Sequence, residues 1–353
     1  MTKERDKSLD VAKGILIILM VLGHCDGSGY FLHFVSLFHM ACFVFISGCL
    51  YKEVKATTLK EFILNIIKRI KKLYLFYLRW ELIFFVLTNL FLHIGFYKTG
   101  VLYGGKYIEP IAFNLSFVKS ILGILICMGR EPFCGAFWFI ISLIFIIIIF
   151  SLIDYICVKT KRSELIRFAL VFSLFVIGVT MSYIDIINIK RFSPALSLLI
   201  FYYLGYMNKR FNFVKFKKNI LFLISFGCLL FLYFIEKENI GVNNNNLINP
   251  IYYILASSTG IYFIMFISNC LQNSKSLNYI GKNTLPIIAL HLISFKFVMI
   301  IQYLLGVIGI KDLYHFYTAS NNLWLVLYVI CGVGIPLMIN HIFALMKRTG
   351  GKL

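Results

Sequence analysis

Residues 8–27 read SLDVAKGILIILMVLGHCDG, an apolar run that contains a lysine, Lys13, and a histidine, His24, eleven positions apart. Eleven residues of α-helix turn through about 1100°, roughly 20° beyond three full turns, and rise about 16 Å, so the two side chains share a face. Asp10, three residues before Lys13, lies about 60° from the same line. An acid, a base and an imidazole thus form one polar stripe on an oily helix. Ionisable groups inside a membrane helix are costly, and they mark a pathway or a site.

Composition sets the environment of that stripe. The chain has 353 residues, of which 60% are hydrophobic, 17% aromatic and 14% charged, and its mean hydropathy is +0.86. A soluble domain is roughly 45–50% apolar. Runs long enough to cross about 30 Å of hydrocarbon fall near residues 10–26, 30–51, 73–95, 137–157, 166–184, 194–207, 219–236, 250–270, 283–305 and 323–345. The reading is an all-α, polytopic membrane helix bundle of about ten transmembrane helices, a single membrane-embedded domain over residues 1–353 with no appended soluble domain. The run at 116–129 is interrupted by Lys119 and two glycines and is read as a re-entrant or interfacial piece.

Charge supports that count. With the N-terminus and C-terminus cytoplasmic, Lys and Arg favour the inside over the outside by roughly three to one, as the positive-inside rule requires. A full span at 116–129 would turn the basic clusters at 159–162 and 208–218 outward. The formal charge of +20 is thereby accounted for by topology and anionic membrane lipid, and no nucleic-acid partner is expected. Lys3, Arg5 and Lys7 ahead of an apolar core resemble a signal peptide, but no small-x-small site follows and a second span begins almost at once, so the first helix reads as a retained anchor. The chain is expected in the cell membrane as a multi-pass protein.

Nine cysteines show no CxxC pair and read as packing residues. No spacing of His, Cys and carboxylates suggests a metal, and no glycine-rich phosphate loop occurs, so no tightly bound cofactor is expected.

The block LDVAKGILIILMVLGH at 9–24 resembles the signature of the acyltransferase-3 family of integral membrane acyltransferases, in which a basic residue and a histidine are separated by ten residues on the first span. FHMACFVFISGCLY at 38–51 is similar to the FHMPLFFFISGYLF pattern of the fucose 4-O-acetylase-like branch, with Ala41 and Cys42 where proline and leucine are usual. AFWFIISLI at 136–144 and NTLPIIALH at 283–291 are similar to later family segments.

The resemblance implies acyl transfer, commonly of acetyl, from cytoplasmic acyl-CoA to a hydroxyl of a cell-surface or lipid-linked glycan. Under that reading an anionic CoA meets cations first: Lys13, Arg79, and Lys68, Arg69, Lys71 and Lys72. His24 is the natural general base, because an imidazole with a pKa of about 6.5 accepts a proton at neutral pH; Asp10 and Lys13 complete its stripe. His39 either orients His24, holds acceptor, or is a satisfied interior histidine. Ser47, with Gly48, reads first as a close-packing residue and second as an acceptor contact. Trp138 is a belt aromatic or a substrate platform, and His291 enters through the family likeness as an acceptor-side residue. Lys296 is either snorkelling or pore-lining. A separate partner that passes the acyl group onward is also compatible with a chain that ends soon after its last span. The competing class is a transporter or flippase for a glycan or small anion, whose translocation path the same stripe would line; the absence of an evident internal repeat speaks against it.

Overall fold

The computed structural model describes residues 6–25, 29–53, 56–103, 106–129, 131–161, 164–184, 191–211, 219–236, 238, 240–247, 249–318 and 321–350. Lys3, Arg5, Lys55, Arg130, Arg162, Lys190, Lys215, Lys217, Lys218, Lys237 and Lys352, all counted in the charge reading, lie outside the described residues.

Helices dominate. Among the described residues, eight are long and apolar enough to cross a membrane: α1 (Lys7–Cys25), the pair α2 (Tyr30–Ser36) and α3 (His39–Cys49) taken together, α4 (Leu59–His93), α6 (Phe137–Lys159), α7 (Glu164–Tyr183), α10 (Pro250–Cys270), α12 (Thr284–Leu304) and α13 (Asn322–Gly350). The other two expected spans are helical, as α8 (Phe192–Phe211) and α9 (Asn219–Ile235), but they are not among the eight. With 17 residues α9 is short, and α8 carries Ser193, Ser197, Asn208 and three tyrosines on buried positions. The 116–129 run forms α5 (Leu115–Leu125), whose 11 residues are too few to span. A two-residue hairpin, Leu102–Tyr103 with Lys106–Tyr107, and the short helix α11 (Lys275–Lys282) complete the regular elements used below.

The second span is broken, which its sequence did not announce. Leu37 and Phe38 close α2 with bonds to the carbonyls three residues back, and Cys42 N–H to Phe38 O opens α3. No proline or glycine sits at the break. Its cause is α10: the Ser257 hydroxyl donates to the Leu37 carbonyl at 3.1 Å, and Gly260 leaves room for the Phe38 side chain, which an added Cβ would strike.

The chain packs as two compact units made of interleaved segments. One comprises Met1–Met20, Tyr30–Tyr74 and Trp138–Lys282. Here α3 packs on α8 and α10, α7 on α8, and α9 on α10. At the α3–α8 crossing, a Cβ on Gly48 would meet the Tyr202 carbonyl and one on Gly205 the Phe45 carbonyl, so the two backbones touch, as small residues permit in membrane helices. A buried ion network ties α6 to α7 and α8. Asp154 is fully buried; its Oδ1 accepts from Arg167 at 2.9 Å and its Oδ2 from the Tyr51 hydroxyl at 2.8 Å, while Arg167 also reaches Tyr206 at 3.1 Å. Arg167 is therefore a buried structural cation, not the loop charge that the topology count took it for.

The other unit comprises Val21–Gly29, Leu75–Phe137 and Asn283–Leu353. There α12 packs on α13 and on the turn Pro132–Cys134. Lys296 of α12 is neither snorkelling nor pore-lining. Its ammonium donates to the Leu313 and His315 carbonyls beside the Phe96, Phe133 and Phe316 rings, so that it holds the segment after α12 inward. Gln302, Thr318 and Tyr328 form a second clasp on the same segment.

Candidate functional site

His24 sits in the last turn of α1 and His291 on the second turn of α12, fully buried. Their ring centroids are 5.1 Å apart with the planes at 44°. The His291 Nδ1–H lies 3.0 Å from the Ile287 carbonyl and 3.1 Å from that of Ile288. Carbonyls only accept, so this bond assigns the proton to Nδ1 and leaves a lone pair on Nε2. That Nε2 is buried and has no hydrogen-bond partner among the described residues. An unpartnered polar atom in such a place is costly. Phe295 packs edge-on against His291, and Gly332 of α13 makes room behind the pair: an added Cβ would sit 2.6 Å from Phe295 Cε1 and 2.8 Å from Val21 Cγ1.

The other end of the stripe is an ion pair. Lys13 Nζ is 2.8 Å from Asp10 Oδ1, with the carboxylate almost fully buried. Gly281 of α11 lies against the Asp10 carbonyl so closely that no side chain fits there. The first twenty residues belong to one unit and His24 to the other; α1 is the element that carries both groups.

The remaining expected site residues are placed as follows. His39 opens α3 and is not mid-helix; its Nδ1 donates to the Val35 carbonyl at 2.8 Å. The Ser47 hydroxyl donates to Phe43 O at 3.0 Å within its own helix. Arg69 donates to the Lys52 carbonyl and lies over the Tyr51 ring, so it closes the end of α3. Lys72 is exposed. Arg79 is exposed as well, with its guanidinium near the Trp80 and Phe343 rings. Trp138 is half-buried with its ring edge-on to Phe139. Of the sequence candidates, the structure brings together His24 with His291 and Asp10 with Lys13.

A polar cluster escaped the sequence reading. Glu81 of α4 is buried, and its carboxylate rests on Gly129, where a Cβ would come within 2.5 Å of it. Nearby, the Gly129 N–H donates to the Tyr77 hydroxyl at 3.0 Å, and the Thr88 hydroxyl donates to the buried Glu131 at 3.2 Å. The signal available was Glu81 itself, an acid two residues after Arg79 in the apolar part of α4.

Long apolar helices define a multi-pass membrane protein. A family model described as an acyltransferase domain matches residues 6–341. The chain belongs to the acyltransferase-3 family and is a membrane acyltransferase. No curated protein and no solved structure matches it.

Proposed function

We propose that this acyltransferase is an O-acetyltransferase of the cell membrane that moves acetyl from cytoplasmic acetyl-CoA to a hydroxyl of a cell-surface or lipid-linked glycan, with His24 as general base. The observation that carries the reading is the His24–His291 ring pair, 5.1 Å between centroids, with Nε2 of His291 unpartnered. His24 takes the proton of the acceptor hydroxyl as its oxygen attacks the thioester carbonyl. The C–S bond then breaks, the CoA sulfur leaves, and the imidazolium returns the proton to it. The net products are the ester and free CoA. His291, its proton held on Nδ1 by two carbonyls, faces the transient imidazolium as a neutral ring and keeps His24 oriented.

The donor's phosphates are met by cationic groups of one unit, Lys13, held in place by Asp10 at 2.8 Å, and the exposed Lys72; Arg79 remains a donor-side candidate. Arg69, engaged with Lys52 and Tyr51, contributes charge rather than a free side chain. Trp138, Ser47 and His39 remain acceptor-side candidates in this reading.

The test uses purified full-length protein in liposomes with labelled acetyl-CoA and surface glycan. Label is expected in the glycan with the wild type and is expected to fall by about 10²–10⁴ in His24→Ala, the range for losing an acid–base group. Near-normal transfer by His24→Ala would refute the assignment of the base. Glycan crossing the bilayer without any dependence on CoA would refute acyl transfer itself.

A further inference from the structure

Phe295 of α12 is seated in a slot on α13. Tyr328 and Gly332 are four residues apart on that helix, so they lie one turn apart on a shared face. The Tyr328 ring stands at 80° to the Phe295 ring with the centroids 5.3 Å apart. At Gly332 the edge of the Phe295 ring rests on bare backbone, since an added Cβ would lie 2.6 Å from Phe295 Cε1. Val21 of α1 closes the third side, its Cγ1 2.8 Å from that same Cβ position. Phe295, Tyr328 and Val21 have no exposure, and all four residues lie in the unit that holds His24 and His291.

The walls of the slot are themselves fixed. The Tyr328 hydroxyl donates to Gln302 Oε1 at 2.7 Å and accepts from the Thr318 N–H at 3.1 Å, so its ring cannot swing away without giving up both bonds. Phe295 is four residues beyond His291, on the same face of α12, and its ring is 5.9 Å from the imidazole at 85°. The last torsion of a histidine side chain is broad and twofold. The Ile287 and Ile288 carbonyls select the Nδ1 edge, and the Phe295 ring limits rotation about that choice. A methyl group at Gly332 fits only if Val21 or Phe295 moves, and Phe295 has a ring on either side of it.

We infer that Phe295, seated by Gly332 and Tyr328, is a positioning residue for the imidazole pair: it fixes the plane of His291 and, through that ring, the 5.1 Å and 44° relation to His24. A general base works only within hydrogen-bond reach of the proton it takes, and a misplacement of about 1 Å can lower a rate about 10²-fold. The consequence for the rate rests on the acyl-transfer reading with His24 as base; the positioning itself does not.

The test is magic-angle-spinning NMR of the full-length protein in lipid bilayers with isotope-labelled histidine, the two rings being assigned from His24→Gln and His291→Gln spectra. The wild type is expected to give one ring environment for each, with His291 as the Nδ1–H tautomer. Phe295→Leu, which removes the ring but keeps most of the volume, and Gly332→Ala are both expected to split or shift the His291 signals and, with them, those of His24. Gly334→Ala, at an exposed position of α13 where nothing lies within 4 Å, is expected to leave both as in the wild type, although helix propensity favours alanine equally at the two glycines. With labelled acetyl-CoA and surface glycan, the first two variants should lower kcat tenfold or more with the KM for acetyl-CoA unchanged, and the third should not. Unmoved His291 signals in both Phe295→Leu and Gly332→Ala overturn the inference, as do His291 signals that move while those of His24 stay. Moved signals with kcat at the wild-type level leave the positioning in place and sink His24 as the base.

Discussion

The rings of His24 of α1 and His291 of α12 lie 5.1 Å apart, tilted by 44°, and the second ring holds its proton on the side away from its bare nitrogen. The two rings are held differently. His24 has no hydrogen bond to any described residue, whereas His291 is anchored to its own helix. Replacing His291 by alanine should therefore lower transfer less than His24→Ala does, and the loss should appear in kcat with the acetyl-CoA KM unchanged. Equal losses in the two variants, measured with labelled acetyl-CoA, would contradict this division of roles.

Lys13→Ala should raise the KM for acetyl-CoA severalfold. It should also destabilise the protein, because the Asp10 carboxylate is almost fully buried beside it and loses this cation. Lys13→Arg should restore most of the stability. A KM unaffected by the alanine change would remove Lys13 from donor binding.

Removing Arg167 should be among the most damaging single changes away from the site. Asp154 has no exposure, and breaking a buried pair costs about 3–5 kcal/mol. The Arg167→Leu/Asp154→Leu double variant should recover most of the loss, since a buried pair and its apolar replacement are often nearly equivalent. Thermal unfolding in detergent measures both.

The α3–α8 crossing tolerates no side chain at Gly48 or Gly205, whose Cβ positions are occupied by backbone. Gly48→Leu and Gly205→Leu should abolish recovery of monodisperse protein on size exclusion. Gly227→Leu on α9, where nothing lies within 4 Å, should behave as the wild type does.

Lys296→Met should loosen the segment after α12 by stranding the Leu313 and His315 carbonyls. Trypsin should then cut several times faster after the exposed Lys311. An unchanged cleavage rate would show that the Gln302–Tyr328 clasp suffices alone.

Much was legible without coordinates. The Lys13–His24 stripe follows from helical spacing, and the long apolar runs are helices close to their expected limits, except that α4 begins at Leu59, well before its expected start at 73. Arg167 shows where that reading stops. Counting basic residues near span ends treats each as solvated, and only Asp154 on a neighbouring helix reveals that this one is buried. The break at Leu37 and Phe38 was equally hidden, because its cause is Ser257 on α10 and not a local proline. Sequence placed His39 within a continuous span; the break puts it at a helix start. Glu81 was visible as an acid, but its bed, Gly129, lies across a loop. The Asn89 clasp on Ile111 likewise joins residues that no periodicity connects.

The sequence by itself determined that this is a helical membrane protein and which faces of its first helix are polar. In hydrocarbon each segment must satisfy its own backbone hydrogen bonds, so helix formation is a local property that a local pattern reports. Only the tertiary structure decided that His24 meets His291, that Arg167 meets Asp154 and that Lys296 turns inward. Those pairings depend on which helices pack together and at what rotation, and between helices in a membrane that choice is made by close steric fit and a few polar contacts, which no single segment encodes.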